Sequence, residues 1–201
     1  MKNIFCLLCL SVSLLSCAQE KKPLLGETDF QKELNAEYKD ATKSPLLAKD
    51  LKNFNGLDFF KFDSTFVVVA KLKRTPDSDF HPMETTTNRV SMERIYGVLS
   101  FELVGETFSL NVYQGEDLMK TEGYEDYLFL PFSDATNGEE TYGGGRYMDL
   151  RIPNVDTIEL DFNKAYNPYC AYNPKYSCPI VPLENSLDVR VEAGVKKYDK
   201  H

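Results

Sequence analysis

Two aspartates on neighbouring predicted strands are the side chains best placed to do chemistry in this chain. Apolar residues alternate along 148–152 and 158–162, on either side of a Pro-Asn dipeptide, which predicts a β-hairpin with one apolar and one polar face. With the apolar ends paired, Asp149 faces Asp161, and two facing carboxylates need a shared proton, a cation or an arginine to neutralise them. That pair would suit a hydrolase. A register shifted by two residues instead makes Arg151 and Asp161 an ordinary ion pair.

Further polar side chains follow these strands and could line a small-molecule site. Tyrosines and asparagines cluster between 163 and 176, in a segment that contains four prolines before residue 185. Their rings and amides suit a ligand site, but they could equally satisfy the backbone of an irregular segment without ladder partners. The candidate ligand-binding or acid-base residues are Arg146, Tyr147, Asp149, Arg151, Asp161, Asn163, Tyr166, Asn167, Tyr172 and Asn173.

Metal and nucleophile chemistry have few residues to use. The two histidines are His81, beside a proline, and His201 at the end of the chain, so a Cys-His nucleophile or a zinc site is not expected. The acidic loop 134–140 misses the calcium-loop spacing. The glycines at 143–145, before an arginine, lack the strand, lysine and helix context of a nucleotide loop. We therefore expect neither a metal site nor a cofactor.

The first seventeen residues predict export and lipid attachment. Lys2 precedes an apolar run at 4–15, and the run closes on Leu-Leu-Ser-Cys with Cys17 at the cleavage point. This order is typical of a secretory signal over 1–16, and the cysteine adds an acyl anchor. The formal net charge of −8 disfavours nucleic-acid partners.

Two cysteines remain for the folded part of the chain. An exported compartment permits a disulfide between Cys170 and Cys178. Two separate thiols are the other interpretation, and the spacing does not decide between them.

A polar tether over 17–27 is followed by a predicted helical cap over 28–55. Apolar residues recur every fourth position from Phe30, which predicts a first helix. Ser44 as N-cap, with proline next, predicts the start of a second helix that continues to about residue 54.

The sequence pattern over residues 56–198 predicts one mainly β domain. The clearest element is a hairpin over 95–113, where Gly105 and Glu106 suit a type II′ turn that would place Leu103 opposite Phe108. A last strand is predicted over 187–191. Consecutive strands with tight turns and few helices indicate an antiparallel β barrel or sandwich with a short N-terminal helical cap.

Several short sequence motifs in the last third of the chain resemble those of domain-of-unknown-function family 1684. The family has no assigned activity, so the resemblance implies a shared, mostly β domain over roughly 56–198 and no reaction. The motifs are Thr141-Tyr-Gly-Gly-Gly-Arg-Tyr147, Leu160-Asp-Phe-Asn163, Ala165-Tyr-Asn-Pro168, Cys170-Ala-Tyr-Asn173, Cys178-Pro179 and Glu184-Asn185.

These observations predict a lipid-anchored cell-envelope protein on the periplasmic face of an outer membrane. Cys17 would hold it to the membrane, and the β domain would bind a small ligand or an envelope protein without catalysis. The alternative is a hydrolase-type enzyme that uses Asp149 and Asp161 as its acid-base pair, assisted by Arg146 or Arg151.

Overall fold

The computed structural model describes residues 26–198, in which an eight-stranded sheet carries the fold. The strand order is β6-β5-β4-β3-β1-β7, with β2 on β3 and the short β8 parallel to β5, while all other pairs are antiparallel. The mainly β prediction is confirmed. The strands are β1 (Val67–Arg74), β2 (His81–Glu84), β3 (Val90–Leu103), β4 (Glu106–Gly115), β5 (Tyr127–Asp134), β6 (Arg146–Arg151), β7 (Thr157–Asp161) and β8 (Ser186–Leu187).

The sheet curls into a half-barrel because its two end strands are joined by a short loop. β6 and β7 stand at opposite ends of the strand order, but residues 152–156 connect them. A linker of that length spans at most about 20 Å. The two ends of the sheet must therefore approach each other.

The predicted hairpin between β6 and β7 is wrong. Asp149 lies opposite Phe129 on β5, whereas Asp161 lies opposite Val67 on β1. Neither predicted register, with Asp149 or Arg151 opposite Asp161, is formed. The alternation of apolar residues fixes which face of a strand is buried but leaves its partner strand open.

The interior face of the half-barrel carries the main apolar core. Side chains from seven strands meet there, and the residues after β8 close it. Each fully buried leucine or phenylalanine contributes about 1.5–3 kcal/mol through the apolar surface it removes from water. The central members are Leu99, Phe101, Leu110, Val112, Leu128, Leu130, Phe132, Met148, Leu160 and Phe162.

The β3–β4 hairpin is confirmed, with a different turn. Val104 and Gly105 occupy the two loop positions at φ 51° and 83°, as a type I′ turn requires. Leu103 therefore lies opposite Glu106 instead of Phe108. The turn prediction placed the glycine at the first loop position, whereas the chain uses it at the second.

The first predicted helix is present as α1 (Asp29–Lys39). Thr28 accepts a hydrogen bond from the Gln31 N–H at 3.2 Å, and the Gln31 side chain accepts from the backbone at Thr28, which completes a capping box. Tyr38, fully buried at the end of the helix, packs edge-on against Tyr172 with ring centroids 5.0 Å apart. These contacts dock α1 on the β domain.

The second helix is shorter and later than predicted. α2 spans only Ala48–Leu51. Ser44 instead accepts a hydrogen bond from the Leu46 N–H at 3.2 Å, which forms a local turn ahead of the helix.

The segment after β7 is irregular, as predicted. The last strand, however, differs from the strand predicted over 187–191. Only Ser186 and Leu187 form strand there. Beyond them, Val191 donates its N–H to a carboxylate oxygen of Asp134 at 3.2 Å, so a side chain takes the place of a backbone hydrogen bond between strands.

The predicted signal over 1–16, the lipid site Cys17 and most of the tether lie outside the described residues. Among residues 26–198, no helix has the length and apolar character needed to cross a membrane.

Candidate functional site

A pocket of about 720 Å³ lies on the outer face of the sheet, opposite the main core. Its floor comes from β3 to β6, one wall comes from residues 166–179, and α1 lies at its edge. Successive residues of a strand point to opposite faces. Leu128 and Met148 therefore enter the core, whereas their neighbours Phe129 and Tyr147 face the pocket.

Eight aromatic side chains line the pocket. Phe129 and Tyr147 meet edge to face with centroids 4.7 Å apart, and Tyr147 meets Tyr166 at 6.0 Å with perpendicular planes. The Tyr147 hydroxyl donates to the carbonyl of Pro179, which ties the wall to the floor. We call this site the tyrosine pocket. Its tyrosines are Tyr124, Tyr127, Tyr147, Tyr166, Tyr169 and Tyr176.

Asp149 is oriented by two tyrosine hydroxyls. Tyr127 donates to its Oδ1 at 2.7 Å and Tyr166 donates to the same atom at 2.5 Å, while the aspartate remains exposed to solvent. Burial, and then the negative charge of Asp149, raise the pKa of both tyrosines well above the usual range. Both phenols are therefore neutral donors at physiological pH, and they hold the carboxylate in one position.

Glu93 brings a second, buried carboxyl group to the pocket. Only 8% of the residue is exposed, and Ser91 donates its hydroxyl to Oε1 at 2.7 Å. Among the described residues, Oε2 has no hydrogen-bond partner. Burial raises the pKa of this carboxyl. Gly115 lies opposite Glu93 on β4, where a Cβ atom would come within 3.1 Å of Oε1, so the glycine leaves room for the carboxyl group.

The wall formed by residues 166–179 contains the two cysteines. Both are free thiols, so the disulfide that the sequence permitted is not formed. The thiols are neighbours, and the Cys170 N–H donates to Cys178 Sγ at 3.1 Å. A side-chain hydrogen bond with Cys178 is the main cause that lowers the pKa of the Cys170 thiol to about 6. Of the two, Cys178 lines the pocket.

The helix α1 supplies the edge of the pocket. Phe30, Leu34 and Glu37 lie on one helical face at intervals of four and three residues. The Tyr169 hydroxyl donates to Glu37 at 3.5 Å, and burial is the main cause that raises the pKa of Tyr169 to about 12. The predicted cap thus contributes to the site as well as to packing.

A family model described as protein of unknown function (DUF1684) matches residues 52–196. The chain belongs to the DUF1684 family. A solution NMR structure of an uncharacterised protein from Haloarcula marismortui is similar to it, with 32% identity and a TM-score of 0.67 over 85% of this chain and 91% of that one. No curated protein matches the chain. The floor and the wall of the tyrosine pocket lie within the DUF1684 region, whereas α1 precedes it.

Three of the predicted candidates meet in the tyrosine pocket of this DUF1684 domain: Tyr147, Asp149 and Tyr166. Their positions on the outer face and on the irregular segment agree with the polar face that the sequence predicts. The remaining candidates have other roles.

Arg146 is a structural residue. Its side chain is fully buried and donates to Asp134 Oδ2 at 2.7 Å, to the Val191 carbonyl at 2.8 Å and to the Ala193 carbonyl. It therefore holds the C-terminal segment against the sheet and is closed to a ligand. The preceding Gly145 adopts φ 86° where a Cβ would clash with Val181, so this glycine loop serves packing.

The asparagines of the irregular segment mainly satisfy backbone groups. Asn163 both accepts from and donates to the backbone of Asp63, at 3.0 Å each way. Asn167 donates to the hydroxyl of the fully buried Tyr172 at 3.2 Å. Asn173 accepts from the backbone N–H two residues later. For these four candidates, the structural interpretation holds.

The two remaining candidates do not support an acid-base pair. Asp161 accepts from the Asn163 N–H at 3.1 Å and caps a short 3₁₀ turn. Arg151 forms an exposed ion pair with Asp126 at 2.7 Å. Because Asp149 instead contacts two tyrosines, the predicted partnership of Asp149 with Asp161 is wrong.

The acidic loop is used for ion pairs. Asp134 pairs with Arg146, and Glu139 and Glu140 pair with Arg190. Among residues 26–198, no group of three or more histidine, cysteine or acidic side chains is arranged to hold a metal ion.

The sequence predictions missed much of the pocket. Tyr127 and Phe129 alternate with buried leucines, a signal that could have placed them on the outer face. Glu93 carries no such signal, because its burial depends on Gly115 across the ladder. Tyr169 and Tyr176 stood in the tyrosine-rich segment but were not singled out.

Proposed function

We propose that this DUF1684 protein binds a small molecule in the tyrosine pocket without catalysing its reaction. The observation that carries the proposal is the pocket itself, about 720 Å³ on the outer face of the sheet, with aromatic rings and a few oriented polar groups. Small-ligand sites usually have this size and this mixture of lining residues. The hydroxyls on Asp149 and the carboxyl of Glu93 are the groups that would orient a ligand.

Binding without reaction is supported by the separation of the acidic residues. The hydrolase alternative needs Asp149 and Asp161 at one site, but they lie on strands with different partners. Asp149 is held by hydroxyls that stay neutral, an arrangement that fixes a charge in place and does not move a proton.

A ligand screen with two matched variants tests the pocket. We expect compounds that raise the melting temperature of the wild type to bind at least about tenfold more weakly to Tyr176→Ala, which loses part of the wall. Phe62→Ala, which removes an exposed aromatic ring outside the pocket, should bind like the wild type. Thermal shift followed by calorimetry gives the affinities. Ligands that bind all three proteins equally would contradict the proposal, as would a library in which no compound binds.

We also propose that Cys17 carries an acyl anchor that holds the domain at the periplasmic face of an outer membrane. The support is the order of a basic residue, an apolar run and Leu-Leu-Ser-Cys in the first seventeen residues. A small ligand or an envelope protein would be the partner there, and the net charge of −8 disfavours nucleic acid.

Metabolic labelling tests the anchor. Cells given a clickable fatty acid should label the wild-type protein, and Cys17→Ala should lose the label because it loses the acceptor thiol. Cys9→Ala, which changes a cysteine in the same apolar run, should keep it. A labelled Cys17→Ala protein would refute the attachment site.

A further inference from the structure

We infer that the ligand of the tyrosine pocket carries an ammonium group, which binds between Asp149, Glu93 and the tyrosine ring faces. The inference rests on the proposed binding function and adds the chemical class of the ligand. Three features of the pocket point to a cation: its charge, an unpaired buried carboxyl group and its aromatic rings.

The charged side chains that line the pocket are mostly acidic. Five carboxyl groups stand against one guanidinium, that of Arg89, and one of the five, Glu116, pairs with Lys120 at 2.9 Å. Arg89 is turned to the wall, where it donates to the Ser177 carbonyl at 3.1 Å and to the Ser177 hydroxyl at 3.2 Å. A cleft lined by one sign of charge concentrates the opposite sign. The five acidic residues are Glu37, Glu93, Glu116, Asp117 and Asp149.

Glu93 is a buried carboxyl group that still needs a partner. More than nine-tenths of the residue is buried, and within residues 26–198 its Oε2 accepts no hydrogen bond. Leaving such a group unsatisfied costs more than a hydrogen bond returns. An ammonium group in the pocket would supply both a positive charge and, where it carries N–H groups, the missing donor.

The tyrosine rings already accept cations from the chain itself. Arg151 lies over Tyr124 and Tyr127, with its Cζ 5.6 Å and 5.9 Å from the ring centroids, and Lys175 Nζ lies 4.8 Å from that of Tyr176. A cation is attracted to the negative face of such a ring within about 6 Å. The other pocket tyrosines offer rings of the same kind to a ligand cation.

Other ligand classes fit less well. An anion would meet five carboxyl groups in a space with one arginine, and like charges in a partly desolvated site are strongly unfavourable. A neutral sugar could stack on the rings, but it would leave the acidic charge uncompensated. The experiment includes both alternatives.

The test uses cations with neutral molecules of the same shape. Choline and its uncharged isostere 3,3-dimethylbutan-1-ol form one pair, and butylammonium and butan-1-ol form another. Spermidine, glucose and inorganic phosphate complete the panel. Calorimetry at low salt should show each cation binding at least about tenfold more tightly than its isostere, with the difference shrinking at high salt.

Variants assign the effect to the carboxyl groups. Asp149→Asn should weaken choline binding at least about tenfold and leave the isostere unchanged, because it removes the charge. The amide oxygen of asparagine can still accept from Tyr127 and Tyr166. Glu102→Gln, which removes a carboxylate from an exposed position of β3, should bind choline like the wild type. Glu93→Gln is the second pocket variant and serves if Asp149→Asn does not fold.

The outcomes separate this inference from the proposed function. Equal binding of cation and isostere, or tighter binding of glucose or phosphate, would overturn the ammonium inference while leaving a binding pocket. Failure of every cation to bind at a concentration of about 10 mM would also overturn it. The ligand screen with Tyr176→Ala would then decide whether the pocket binds small molecules at all.

Discussion

The two carboxyl groups of Asp134 and Glu93 are both buried, yet their surroundings differ completely. Asp134 Oδ2 accepts from Arg146 at 2.7 Å, and its Oδ1 accepts from the Thr136 N–H and hydroxyl at 2.9 and 2.6 Å and from the Val191 N–H. Glu93, which lines the pocket, accepts one hydrogen bond, from Ser91, and its second oxygen has no partner among residues 26–198.

The difference separates a structural charge from one that is open to a ligand. Buried polar groups in folded proteins are nearly always satisfied, so an exception needs an explanation. Asp134 needs none, because its partners are all within the fold. Glu93 does, and its position in an acidic, aromatic pocket supplies the explanation.

The same contrast separates two arginines. Arg146 is fully buried, and its guanidinium lies 5.3 Å from the ring of Phe132. It joins Asp134 to the carbonyls of two residues near the C-terminus. Arg151, by contrast, pairs with Asp126 at the surface, where both side chains are more than half exposed.

Loss of the Arg146 guanidinium should have the largest effect on stability. Arg146→Met should lower the free energy of unfolding by about 3–5 kcal/mol, because it leaves Asp134 as a buried charge without its counter-ion. Urea denaturation followed by circular dichroism measures the change.

Arg151→Met is the matched control for that prediction. It removes the same atoms from an exposed ion pair, for which we expect a change of about 0–1 kcal/mol. Equal losses for the two variants would mean that burial of the Asp134–Arg146 pair has no special importance.

The fold could be predicted from the sequence as far as local periodicity reaches. Apolar residues recur at every second position over 66–72 and along the hairpin around Gly105, and the structure places one face of each in the core, including Phe66, Leu72 and Leu99. The partners of β6 and β7 could not be predicted, because alternation is satisfied by any neighbouring strand. The pairing is decided by contacts distant in sequence, such as Val67 with Asp161.

The candidate site could be predicted from the sequence only in part, for the same reason. Tyr147 and Asp149 follow from the polar face of one strand, which is a local feature. The place of Glu93 depends on a register shift between Ile95 and Gly97, after which Gly115 falls opposite the glutamate. A bulge of this kind leaves no periodic signal. Arg146 was misassigned because its partner Asp134 lies in a separate strand.

The ionisation of Glu93 should make the stability of the protein depend on pH. Burial is the main cause that raises its pKa, with Asp117 acting in the same direction and Ser91 and Arg89 acting in the opposite one. The folded protein therefore holds this proton more tightly than the unfolded chain. As the pH rises from the usual glutamate range through the raised pKa, the free energy of unfolding should fall.

Glu93→Gln should remove this part of the pH dependence, since the amide has the shape of the neutral acid and does not ionise. We expect the variant to become more stable relative to the wild type as the pH rises from 5 to 8. Urea titrations at both pH values measure the gain, with Glu102→Gln as an exposed control that should show little of it. A wild type and a Glu93→Gln variant with parallel pH profiles would show that Glu93 is as well compensated as Asp134. The contrast between the two carboxyl groups would then no longer mark the tyrosine pocket as a binding site for a cation.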